Sequence, residues 1–131
     1  MIQRIQSIYL LIALISMSLF SFKVSIYSFD GIAFFAIDDS KIFILAISGA
    51  LLVAIGLFMF SKRKLQMKLT RIAGLIQIII CIRLFVLFNA FEADLNNTSL
   101  LILVFNLIAL IKAYRSIKKD DELVRSIDRI R

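Results

Sequence analysis

An all-α integral membrane protein, folded as an antiparallel bundle of four transmembrane helices, is what this sequence predicts. Three observations lead there. Of the 131 residues 61% are hydrophobic, with a mean hydropathy of +0.96, where soluble domains run at about 45–50% apolar. The apolar residues are gathered into runs. Residues 5–22 and 42–61 hold no charge over 18 and 20 positions, and a helix needs about 20 apolar residues to cross the hydrocarbon core. The charges sit between the runs, and their sign changes from one connection to the next.

The first span, 5–22, is too long for a secretory h-region of about 7–15 residues and ends in Ser21-Phe22-Lys23 without a small-residue cleavage site, so it reads as an uncleaved helix. Next, Val24–Phe29 and Ile32–Ile37 flank Asp30-Gly31. That pair between β-prone runs favours a small outer hairpin over about 24–37, with Phe29 opposite Ile32 and Tyr27 opposite Phe34. An irregular loop with its aromatics in an interfacial belt is the alternative. The second span, 42–61, repeats Ala46, Ala50 and Ala54 every four residues beside Gly49 and Gly56. Such small residues let helix backbones approach closely in lipid, within the bundle or across a dimer.

The third span, 72–91, is interrupted only by Arg83, and its helical face continues back to Leu65. The fourth, 95–111, follows Asn96-Asn97-Thr98-Ser99, whose side-chain oxygens suit a helix cap. In the tail, 112–131, Leu123, Val124, Ile127 and Ile130 share one helical face, with Asp120, Asp121 and Glu122 before Leu123 and Arg125, Arg129 and Arg131 toward the end of the chain. This reads as a short amphipathic helix resting on the inner leaflet or on a protein.

The net charge of +7 would raise nucleic acid as a partner in a soluble protein. Its placement excludes that reading. With both termini in the cytoplasm, thirteen basic residues lie inside and two outside, with Arg83 between them, as expected when short translocated loops shed Lys and Arg. Lys62, Arg63, Lys64, Lys68 and Arg71 in the second connection, with Arg125, Arg129 and Arg131, form a basic cytoplasmic surface for anionic lipid or a partner.

Candidates for bond chemistry are few. There is no His, Trp or Pro, and the single Cys81 cannot pair within the chain, so no catalytic residue, metal or cofactor site is expected. Arg83 is the one ionisable side chain at depth. Its cost of about 2.5–3.5 kcal/mol is outweighed by the thirteen Ile, Leu, Val and Phe residues of its span. It either contacts an anion or snorkels and bonds neighbouring helices, with Ser16, Ser18 and Ser48 near its level and no acid within the spans to pair with. Gln77, Asn89 and Asn106 read as interhelical hydrogen-bonding groups.

Met1–Ala13 (MIQRIQSIYLLIA), Tyr114–Arg131 (YRSIKKDDELVRSIDRIR) and the inner loop Arg63–Leu69 (RKLQMKL) resemble the domain-of-unknown-function family 4293, small membrane proteins mainly of Bacteroidota. The resemblance implies a four-helix protein of the bacterial inner membrane with no assigned activity. The expected role is a structural or accessory subunit, acting through protein partners or as a homo-oligomer. The alternative is a small oligomeric transporter or channel using Arg83 as an anion contact.

Overall fold

The computed structural model describes residues 2–91 and 94–130. Its elements are α1 (Ile2–Phe22), β1 (Ser25–Phe29), β2 (Ile32–Phe35), α2 (Ser40–Phe58), α3 (Arg63–Phe91), β3 (Asp94–Leu95) and α4 (Asn97–Ile130). All four helices are long and apolar enough to cross a membrane.

Buried positions recur at alternating intervals of four and three along every helix, the pattern that winds helices into a left-handed bundle. The repeat runs through Gln6, Leu10, Ala13, Met17 and Phe20 in α1, with Ser16 and Ser21 buried beside it, and through Ile42, Ala46, Gly49, Val53 and Gly56 in α2. In α3 it runs through Gln66, Thr70, Ala73, Gln77, Ile80, Leu84 and Leu87, and in α4 through Ser99, Leu103, Asn106, Leu110, Ala113, Ile117 and Asp120. Helices adjacent in sequence pack together, and α4 closes the ring against α1. The core has two parts. One, toward the hairpin, is built from large groups such as Met17, Phe20, Ile26 and Leu84. The other, toward the termini, includes Ala13, Ala73, Ala109 and Ala113, small residues that permit close backbone approach.

Gly49 shows why α2 carries small residues. A Cβ there would stand 2.9 Å from the end of Met17 in α1 and 3.5 Å from Ile76 in α3, so the stripe packs inside the bundle. Ala46 is fully buried, while Ala50 and Ala54 lie at the edge of the same face.

The first connection is a hairpin, not an irregular loop. Asp30 and Gly31 both take positive φ, 51° and 77°, and Phe29 pairs with Ile32 and Tyr27 with Phe34. A third strand joins it: β3 pairs with β1, Tyr27 with Leu95 and Ser28 with Asp94. Leu95 therefore belongs to the sheet and not to the fourth span. The α4 helix begins at Asn97, where the Asn96 side chain accepts from the Thr98 N–H and Ser99 Oγ donates to the Ile26 carbonyl.

Other boundaries also differ from those read in the sequence, α1 starting at Ile2 and α2 at Ser40. The second helix stops at Phe58 rather than 61, because only residues 59–62 separate it from α3 and the apolar Met59 and Phe60 are spent on the turn. The third begins at Arg63, two residues before Leu65, its first bonds running from Leu65 and Gln66 to the Lys62 carbonyl. The tail is not a separate helix lying on a surface. It is the unbroken end of α4, a 34-residue rod of about 51 Å. Lys112–Ile130 holds no Gly or Pro to stop it, and Lys118–Glu122 and Asp121–Arg125 brace it at 3.7 and 2.8 Å.

Candidate functional site

Three polar centres tie the helices together, the third reaching the outer surface at Arg71. At the hairpin end, Asp39 occupies the N-cap of α2. Its Oδ1 accepts from the N–H groups of Lys41 and Ile42 at 3.1 and 3.4 Å, and its Oδ2 stands 3.6 Å from Arg83 Nη2. The Arg83 side chain is 32% exposed and that of Asp39 11%, and Arg83 Nε is buried with no partner among the described residues. The spans hold no acid for Arg83, as the sequence shows, but one just before the second span meets it. The antiparallel course of α2 and α3 brings the start of one beside the later turns of the other, so an acid outside the apolar spans reaches it.

The serines placed near Arg83 by counting depth bond elsewhere. Ser18 and Ser48 donate to Leu14 and Leu45 carbonyls of their own helices at 2.9 Å, and Ser16 donates to the Ala13 carbonyl at 3.1 Å. Beside the Asp39–Arg83 pair, Tyr27 stacks on Phe34 at 5.1 Å. Burial raises the Tyr27 phenol above its ordinary range, Asp39 and Asp38 add to the rise and Arg83 opposes it.

In the middle of the bundle Asn106 Nδ2 donates to the Ala13 carbonyl at 2.8 Å and to Ser16 Oγ at 2.7 Å, fastening α4 to α1. Gln77 Nε2 donates to the Leu103 carbonyl at 3.3 Å, fastening α3 to α4, while its Oε1 is buried without a partner. Among the described residues Asn89 bonds only its own helix, at Phe85, and Cys81 lies exposed on the outer face of α3.

The third centre lies toward the termini. Arg63 Nε meets Asp120 Oδ2 at 2.6 Å, both largely buried, and Gln6 Nε2 donates to the Ser116 carbonyl at 3.3 Å. The Arg71 guanidinium lies 4.8 Å over the Tyr114 ring and donates to its hydroxyl. Of the basic surface read in the sequence, Arg63 thus turns into the bundle, while Lys62, Lys64 and Lys68 stay exposed and Arg125 pairs with Asp121. Arg131 and the side chain of Arg129 lie outside the described residues. Asp39, Gln6, Gln66, Thr70 and Asp120 went unread as site residues. The four-and-three spacing carries the last four, whereas Asp39 is marked only by its place before an apolar run.

Among the described residues no group of three His, Cys, Asp or Glu could hold a metal ion. The three centres tie helices together through neutral amides and two ion pairs, and each is a fastening in its geometry. No curated protein and no solved structure matches the chain. The model of one family, described as Domain of unknown function (DUF4293), matches residues 2–130, and the chain belongs to that family.

Proposed function

We propose that this is a multi-pass protein of the bacterial inner membrane, with both termini cytoplasmic, acting as a structural or accessory subunit without bond chemistry of its own. One observation carries the membrane reading: only 28–39% of each apolar span is buried in the bundle. Ile44, Phe85 and Leu101, at 66%, 66% and 69% exposed, project outward, while glutamine, asparagine and an ion pair lie inside. A surface this apolar is stable in hydrocarbon and unstable in water. The cationic excess at the end bearing both termini supports the orientation. The projecting end of α4, with Leu123 and Ile127 exposed, supports an interaction role. The carboxylate beside Arg83 favours a structural role for that residue over an anion path.

The test is impermeant maleimide labelling in a Cys81→Ser background. Ser126→Cys is expected to label only after permeabilisation, and Ser28→Cys in intact spheroplasts. The reverse pattern would overturn the orientation, and release of the chain by alkaline washing would overturn insertion. The interaction role is tested by crosslinking in native membranes with the full chain and with a form ending at Glu122, which keeps Asp120. Loss of a crosslinked partner on truncation is expected, and an unchanged set would refute docking through the tip.

A further inference from the structure

A cleft of about 570 Å³ opens on the outer side of the bundle between α3 and α4, within the size range of small-molecule sites. Its long wall is apolar, formed by residues such as Leu75, Ile78 and Ile111, and its end toward the termini carries Arg71, Arg115 and Lys118. Gly74 leaves its floor open: a Cβ there would meet nothing within 4 Å. Arg71 is held at the mouth by Tyr114, which takes one of its N–H donors and leaves others for a ligand. Glu122 offsets part of Lys118 at 3.7 Å. Among the described residues no acid pairs with Arg71 or Arg115.

We infer that this cleft is a binding site for one anionic phospholipid, its phosphate among Arg71, Arg115 and Lys118 and an acyl chain along Gly74, Ile78 and Ile111. The inference rests on the membrane reading and deepens it from general attraction to a leaflet into a defined site. The chemistry is complementary at both ends. The cations from two helices converge where a headgroup would lie, and from Arg71 to Ile78 the groove runs apolar for about 10 Å along the helix axis, the direction of a lipid tail. A second copy docked isologously through this face would set the same three cations against themselves, so charge disfavours that occupant.

The full chain, stripped of lipid in detergent, is offered phosphatidylglycerol or phosphatidylcholine, and bound lipid is counted by native mass spectrometry. Wild type is expected to retain one phosphatidylglycerol at concentrations where phosphatidylcholine is not held. Arg115→Gln with Lys118→Gln should weaken retention about tenfold or more, and Gly74→Leu should abolish it by filling the groove, with helicity checked by circular dichroism. The double variant changes exposed groups and keeps the test decisive if Gly74→Leu misfolds. Equal retention of the two lipids, unchanged retention by the double variant, displacement by water-soluble glycerophosphoglycerol at equal concentration, or a dimer in place of the lipid adduct would each overturn the site. Failure of wild type to sediment with alkaline-washed membranes would instead sink the membrane reading on which it rests.

Discussion

Asp39 does two jobs with two oxygens, and they can be separated. Asn caps a helix as well as Asp does, so Asp39→Asn removes only the charge facing Arg83, while Asp39→Ala removes the cap too. Unfolding in mixed micelles, followed by helicity, should show about 1 kcal/mol or less lost in the first and about 1 kcal/mol more in the second. Equal losses would mean that the cap contributes nothing, and no loss in Asp39→Asn that the Arg83 pairing contributes nothing. Arg83→Leu should leave the fold and insertion intact. Tyr27 offers a second test. Its folded value is raised, so its contribution to stability is complete below the ordinary phenol value of about 10 and is lost as pH climbs through the raised value. The near-ultraviolet titration of wild type minus Tyr27→Phe should therefore have its midpoint above about 10, and a midpoint below that refutes the burial. Arg83 was legible in the sequence as a buried charge. Its partner was not, because the pairing depends on how far α2 starts along α3, which no local pattern encodes.

The helices were legible wherever charge punctuates apolar runs, and misread where one solvent boundary was taken for a structural one. Lys112 marks a change from apolar to charged residues, yet the backbone continues, since its hydrogen bonds are internal on both sides of that change. Spin labels at Thr98 and Ser126 in a Cys81→Ser background should therefore lie about 42 Å apart along one rod; a markedly shorter distance would restore a bent tail. The hairpin register was legible because both turn residues require positive φ, whereas β3 was not, being two residues recruited by the sheet from across the bundle. Packing of α2 is tested at Gly49. Ala should be tolerated, since only the flexible end of Met17 must move, while Leu should cost about 1–3 kcal/mol by overpacking against Met17 and Ile76.

At the scale of the whole molecule the usual partition of residues is relaxed: aliphatic side chains coat the exterior, and Gln6, Gln66, Thr70, Gln77 and Asn106 are buried. Composition revealed this arrangement in outline, but the individual inward polar groups were obscured by the length of the apolar runs around them. Transfer from detergent into nanodiscs should preserve helicity, and dilution into plain buffer should precipitate the protein; a monodisperse helical species in buffer would contradict the reading. The fastenings on α4 have a mechanical meaning. Asn106 grips the rod against α1 and Asp120 grips it against α3, leaving residues 121–130 as an overhang of about 15 Å. Held at several points between Ser99 and Asp120, the rod has no joint in which to dissipate load. A push or twist on its tip therefore arrives first as torque at the Arg63–Asp120 pair and passes along the helix to the amide clamp in the core.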